Sequence, residues 1–216
     1  MRQAPFISVI TITLNDLAGL KYTVDSVESQ TYSNYEHIVV DGKSSDGTVD
    51  FCAATEKRRT NFLYTSEKDG GIFDAMNKGA RMARGDLLVF VNSSDGMTDS
   101  SVLDFVAERW SDPEEWQWGY GAMRFTDSNR VPFSGTVQAP FSRRKFELGR
   151  QYIPHPASYV GRAFFLAHGG STSHSAPQRI KSSSCASAGH TLRQYGSDSS
   201  QISWLVASTA RNRSGT

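Results

Sequence analysis

Phe6-Ile-Ser-Val-Ile-Thr-Ile-Thr13, followed at once by Leu14-Asn15-Asp16, is the stretch on which the fold turns. Its β-branched, nearly continuous apolar run reads as a strand buried on both faces. Asn15-Asp16 then offers a helix N-cap, and Leu17, Leu20, Val24 and Val27 follow at helical spacing. The same alternation continues outward. Tyr35–Asp41 is a second apolar strand, Phe62–Thr65 a short third and Leu87–Val91 a fourth. Asp46 stands where it can cap the helix after the second strand. Ile72, Ala75, Met76, Gly79, Ala80 and Ala83 mark one helical face, with Gly85 at a C-cap position, and Val102–Trp110 forms a further helix. Trp116–Phe125 and Val131–Val137 alternate like antiparallel strands around Asp127-Ser-Asn129. Strand–helix order with continuously apolar strands predicts an α/β fold. Its sheet is mostly parallel and twisted, covered by helices on both faces, and the two later pieces extend it antiparallel.

Open α/β sheets bind ligands beyond the carboxyl ends of their strands. Here the first strand ends in Thr13-Leu-Asn15, the second in Asp41 and the fourth in Asn92-Ser-Ser-Asp95. Oxygen donors collected on one rim suit Mg2+ or Mn2+ shared with substrate phosphates. No glycine-rich phosphate loop of the dinucleotide or P-loop type is present. That weakens dehydrogenase and nucleotide triphosphatase readings.

Lys plus Arg number 23 and Asp plus Glu 22, a net charge of +1, which argues against a dedicated nucleic-acid binder. No apolar run reaches the roughly 18 residues of a membrane span. Met1-Arg-Gln-Ala-Pro5 leads straight into the first strand without a small-residue cleavage site. Cys52 and Cys185 make no metal knuckle or disulfide framework. A cytoplasmic location is the expectation. Composition changes abruptly near residue 170. All 12 phenylalanines and every glutamate precede Ser171. Residues 171–216 hold 13 serines and a single acid, Asp198, with one short apolar patch at Ile202–Val206. Residues 1–169 are therefore read as the folded domain and 170–216 as a poorly ordered, serine-rich tail.

The motifs carry a resemblance. Ser8-Val-Ile-Thr-Ile-Thr-Leu-Asn15 with Ser26-Val-Glu-Ser-Gln-Thr-Tyr32 resembles the opening of the family-2 inverting glycosyltransferases. Val39-Val-Asp-Gly-Lys-Ser-Ser-Asp-Gly-Thr48 is similar to that family's second-strand motif, and Glu67-Lys-Asp-Gly-Gly-Ile-Phe-Asp-Ala-Met-Asn-Lys-Gly79 to its third block. Gly85-Asp-Leu-Leu-Val-Phe-Val-Asn-Ser-Ser-Asp95 resembles its metal motif, with one carboxylate where the common Asp-x-Asp has two. Weaker similarity runs through Ile153-Pro-His-Pro-Ala-Ser158 and Gly161-Arg-Ala-Phe-Phe165.

The resemblance implies the GT-A fold and inverting, metal-assisted sugar transfer. The donor would be a nucleotide-diphosphate sugar and the acceptor a saccharide or a lipid-linked sugar, as in bacterial polysaccharide or glycolipid synthesis. It assigns donor contacts to Thr13, Asn15, Asp41, Asp74, Asn77, Asn92 and Ser94, and the divalent metal to Asp95. His155 is a candidate near the diphosphate or acceptor. Arg143-Arg-Lys145 reads as a solvated loop, with contact to a membrane surface or a lipid-linked acceptor as the alternative. Trp110, Trp116 and Trp118 read as packing residues. Two alternatives stand beside this reading. One is an impaired chain that keeps donor binding, and the other is a sugar nucleotidyltransferase-like enzyme.

In the resembling family the general base follows a Gly-Gly-Phe-Asp-like turn. Here Gly169-Gly170 is followed by no such motif. Codons chosen within those permitted for Ser171–Cys185, read one nucleotide earlier, translate as Phe-Asp-Ile-Ser-Phe-Arg-Ala-Pro-Ala-Asp-Gln-Glu-Phe-Ile-Leu-Arg. That run is similar to the missing turn and acidic motif, so the expectation is a chain translated out of frame after about Gly170.

Overall fold

The computed structural model describes residues 4–110, 117–127, 129–136, 142, 144–145, 148–151, 153, 155–171 and 201–205. Among them, β1 (Ile7–Thr13), α1 (Leu17–Glu28), β2 (Tyr35–Asp41), α2 (Thr48–Arg58), β3 (Phe62–Ser66), α3 (Ile72–Met82) and β4 (Leu87–Phe90) alternate in chain order. Then come β5 (Gly96–Met97), α4 (Val102–Arg109), β6 (Trp118–Tyr120), β7 (Ala122–Thr126) and β8 (Pro132–Thr136). After a 3-10 turn at His155–Ala157 follow β9 (Ser158–Gly161), α5 (Arg162–Ala167) and β10 (Gln201–Leu205).

The main sheet has the order β3-β2-β1-β4-β9-β6. Its first four strands are parallel, and β9 runs antiparallel to both β4 and β6. Strand β1 is buried on both faces because each face meets helices. Ile7 and Val9 pack with Val27, Leu103, Val106 and Trp110 on one side. Ile10 packs with Ala75, Met76 and Ala80 of α3 on the other. Gly79 lets α3 lie close, since a Cβ there would stand 2.5 Å from Ile10 Cγ2.

Three expectations change. The segment read as one strand from Trp116 to Phe125 breaks at Gly121, and its halves enter different sheets. β6 joins the main sheet, whereas β7 and β8 form a second sheet of order β5-β10-β7-β8. Alternation along one chain cannot reveal that two consecutive stretches pair with different partners. Gly85 is not the C-cap of α3, a place taken by Ala83. It serves close approach to β1, where a Cβ would stand 2.6 Å from the Ser8 backbone nitrogen and 2.7 Å from Phe6 O. Within the serine-rich segment, β10 forms at Gln201–Leu205, where the apolar patch begins, pairing with β5 and β7. Trp116 and Arg143 lie outside the described residues.

Near the amino ends of β1 and β2 lies a buried polar network. Glu36, 1% exposed, accepts from Ser8 Oγ at 2.7 Å and from the Arg84 N–H at 2.7 Å, and pairs with the Arg84 guanidinium at 2.9 Å. His37 beside it is fully enclosed, its Nε2 2.9 Å from Thr11 Oγ1 and its ring T-shaped against Phe62. Burial, with the Arg59 charge adding, drives its pKa down from 6.5 to about 3. The unfolded chain therefore binds a proton on His37 across that interval and the folded chain does not. Stability from this residue is complete above pH 6.5 and declines as pH falls toward 3. The loss at pH 5 is expected to be about 2 kcal/mol, at ~1.4 kcal/mol per pH unit. Urea midpoints at pH 7.5 and 5.0 check it, and His37→Phe should flatten the difference.

Candidate functional site

The parallel ladders bring three strand ends to one edge. Thr13 faces Asp41 in register across β1 and β2. On the other flank of β1, the chain leaving β4 continues alongside it. The Val91 N–H donates to Ile10 O and the Ser93 N–H to Ile12 O, at 3.0 Å each. Asn92–Asp95 thus arrives beside the end of β1 while Asp41 lies on the opposite flank. Asp41 and Asp95 share one edge of the sheet.

Asp41 is fully buried. Its carboxylate accepts from the Ser44 N–H at 2.9 Å, from the Ser44 hydroxyl and from Ser66 Oγ at 2.6 Å. These bonds fold the Gly42–Gly47 loop against the rim. Asn15, at φ 51, donates its N–H to Ser44 Oγ at 2.7 Å and accepts from the Ser45 N–H on Oδ1 at 2.9 Å. Asp46 accepts from Leu17 N–H at 2.9 Å and from Thr48 N–H at 3.2 Å, so one carboxylate meets the first residues of both α1 and α2. The Thr48 hydroxyl is the main reason its pKa lies below the usual carboxylate value. Its role is structural, as a cap would be, although the residue at the cap position of α2 is Gly47.

On the other flank, Ser94 has φ 71, a region that disfavours side chains, and its hydroxyl donates to Asp16 Oδ2 at 2.9 Å. Asp16 is also the N-cap of α1 through the Gly19 N–H. Asp95, 7% exposed, closes the turn with its N–H on Asn92 O, and its carbonyl accepts from Thr23 Oγ1 at 2.7 Å. Among the described residues, two buried oxygens on this rim have no hydrogen-bond partner: Thr13 Oγ1 and Asn92 Oδ1. Orphaned polar atoms are costly in an interior and ask for a ligand.

Asp74 lies in the first turn of α3, where it accepts from the Gly70 N–H at 3.0 Å and meets Lys78 Nζ at 3.6 Å. That N–H, with Lys78 adding, holds its pKa below the ordinary value. The preceding loop reaches Asp41's end of the sheet: the Glu67 N–H donates to Asp41 O at 3.1 Å. Asn77 is engaged elsewhere. Its Nδ2 donates to Ser171 O at 2.7 Å, and its Oδ1 accepts from the Ser171 N–H at 2.8 Å. Gly169 and Gly170, at φ 83 and 66, turn the chain onto this amide. Because a Cβ on Gly170 would collide with Asn77 Oδ1, Gly170→Ala is expected to cost about 1–3 kcal/mol. Urea unfolding measures it, and a midpoint unchanged from wild type would contradict the contact. His155 sits in the 3-10 turn before β9, and its side chain is outside the described set.

Sequence reasoning missed Asp16, Ser44 and Ser66 as builders of the rim. Serines two or three residues beyond a strand-end aspartate signal an Asx-type loop, which could have drawn attention to Ser44. Nothing local marks Ser66.

The profile described as Glycosyl transferase family 2 matches residues 8–165. An uncharacterized glycosyltransferase of Mycobacterium tuberculosis is 43% identical over 174 residues, covering 79% of this chain and 64% of the relative. A PGL/p-HBAD biosynthesis glycosyltransferase of Mycobacterium bovis is 31% identical over 156 residues, 65% of this chain and 60% of that one. The chain therefore spans less than two thirds of the length of these curated relatives. Among solved structures, the mannosyltransferase PcManGT of Pyrobaculum calidifontis superposes with a TM-score of 0.58 at 19% identity, over 79% of this chain and 48% of that one. At that identity the likeness concerns the fold, which is GT-A.

Proposed function

This chain belongs to glycosyl transferase family 2, and from that premise we propose that it transfers a sugar from a nucleotide-diphosphate donor to a saccharide or lipid-linked acceptor, with inversion. The observation that carries the proposal is the rim itself. Asp41 and the Asn92–Asp95 turn flank the end of β1 with two unpartnered oxygens, Thr13 Oγ1 and Asn92 Oδ1, between preorganised loops. The similar mannosyltransferase is described with GDP-Man and Mn2+ bound, which supports the donor class.

Thr13, Asn15 and Asp41 would line the nucleotide pocket and Asp74 would approach the base and ribose. Asn77 carries the same assignment, although its amide is engaged with Ser171. Asn92 and Ser94 would meet the donor at the opposite flank. A divalent ion, Mg2+ or Mn2+, fits the rim as a partly protein-held group. Asp95 and Asn92 Oδ1 would hold it together with donor phosphates. Among the described residues no cluster of three or more His, Cys, Asp or Glu forms a full protein cage. Mg2+-type sites shared with phosphates commonly use one or two carboxylates. Such an ion supplies charge stabilisation to the departing diphosphate. The chain's own share is to fix donor orientation through the clamped loops, so that an acceptor hydroxyl attacks in line from the opposite face. A carboxylate or His155 would take the acceptor's proton.

A second reading is a donor-binding chain without transfer, since Asp198 is the one acid among residues 171–216. Translation out of frame after Gly170 accounts for that composition. A gene whose alternate frame does not encode the Phe-Asp turn and acidic motif refutes it. Among the described residues no helix is long and apolar enough to cross a membrane. Action in the cytoplasm at the inner membrane face, in polysaccharide or glycolipid synthesis, belongs to the same proposal.

The test offers UDP-, GDP- and dTDP-sugars with Mn2+ or Mg2+ and a saccharide acceptor. Nucleoside diphosphate release with acceptor glycosylation supports transfer. Binding without release supports the second reading. Pyrophosphate release would move the chain to the nucleotidyltransferases, and no metal-dependent binding would end the proposal.

A further inference from the structure

Arg130 stands in the turn between β7 and β8, well away in sequence from every rim residue. Its φ of 63 places a bulky side chain in the left-handed region. The turn is fixed by Asp127. Asp127 Oδ1 accepts from the Asn129 and Val131 N–H groups at 2.9 and 2.8 Å, and its carbonyl accepts from the Arg130 N–H at 2.9 Å. Held this way, the guanidinium reaches back to the main sheet. Its carbon lies 3.0 Å from the centroid of the Tyr22 ring on α1. Its NH1 donates to Ser94 O at 3.3 Å. Ser94 is the residue already bonded to Asp16 through its hydroxyl, so the turn carrying Asn92 and Asp95 is clamped from two directions.

No carboxylate among the described residues pairs with this guanidinium. An arginine stacked on an aromatic ring loses little further freedom on meeting an anion, and its planar donors match phosphate oxygens. Among the described residues its remaining N–H donors are not spent on an anion. The adjacent motif holds one carboxylate, Asp95, rather than two. The turn that the guanidinium holds also carries Asn92 Oδ1, which has no partner among the described residues.

We propose that Arg130 is a donor-phosphate contact: its guanidinium takes an oxygen of the nucleotide-sugar diphosphate and offsets the charge that builds on it as the sugar leaves. This rests on the reading of the rim as a donor site and adds the residue that reads the diphosphate rather than the nucleoside.

Calorimetric titration of the full 216-residue chain, at fixed Mn2+, compares UDP with uridine, GDP with guanosine and dTDP with thymidine. With Arg130→Gln, the diphosphate that wild type binds is expected to weaken about 10- to 100-fold while its nucleoside binds unchanged. Arg130→Lys should recover part of the loss, and Tyr22→Leu should give an intermediate one. A weaker dependence of diphosphate affinity on salt should accompany Arg130→Gln. Equal weakening of diphosphate and nucleoside would make Arg130 a structural latch and overturn the assignment. So would diphosphate affinity equal to wild type in Arg130→Gln. If the wild-type chain binds none of the diphosphates, the donor-site reading itself fails and takes this one with it.

Discussion

Asp95→Ala is expected to weaken Mn2+-dependent binding of a nucleoside diphosphate by about 100-fold, while leaving binding of the bare nucleoside nearly intact. Asp95 is the one carboxylate in the turn that follows β4, and it stands at 7% exposure beside Asn92, whose Oδ1 has no partner. Its N–H donates to Asn92 O and its carbonyl accepts from Thr23 Oγ1, and alanine keeps both bonds. Metal-linked affinity should fall, and urea unfolding of the same variants separates that fall from any loss of stability. Asp95→Asn supplies an isosteric control that removes only the charge. Titrations with and without Mn2+ check the effect. If the variants keep the full metal enhancement, Asp95 is not the metal ligand.

Asp41→Ala is expected to lower stability by about 3 kcal/mol and to abolish nucleotide binding with it. Asp41 is fully enclosed and its carboxylate satisfies the Ser44 N–H, the Ser44 hydroxyl and the Ser66 hydroxyl. Alanine leaves those donors without acceptors in a site that water does not readily refill. The damage spreads, because Ser44 Oγ in turn accepts from the Asn15 N–H and the next residue's N–H donates to Asn15 Oδ1. Removing one donor alone, in Ser66→Ala, should cost about 1 kcal/mol. Urea unfolding of the two variants at pH 7.5 measures the difference. Similar midpoints for Asp41→Ala and wild type would mean that the loop does not depend on this carboxylate.

These two aspartates also show how legible the site was. Both stood out because a polar residue at the carboxyl end of an apolar run is a local signal, and the strand limits at Tyr35–Asp41 agree with the structure. What Asp41 touches was not legible. Ser66 is 25 residues away, and no spacing rule connects them. Asn77 carries a similar lesson. Its motif suggests a ligand contact, yet its amide is paired with the main chain of Ser171, 94 positions later. Asp16 shows an intermediate case: its capping role follows from its place before α1, whereas its bond to Ser94 depends on β4 lying beside β1.

The amino-acid order by itself determined the parallel βα frame, the rim on which polar residues gather and the family, because apolar period, caps and contiguous motifs act over a few residues. Tertiary structure alone decided that the chain divides between two sheets at Gly121, that Glu36 and His37 are enclosed, and that Arg130 reaches Ser94. The physical reason is range. A strand's partner, a carboxylate's donors and a cation's neighbour are set by which distant segments the packed core brings within about 3 Å, the hydrogen-bonding distance, and no local pattern encodes that choice.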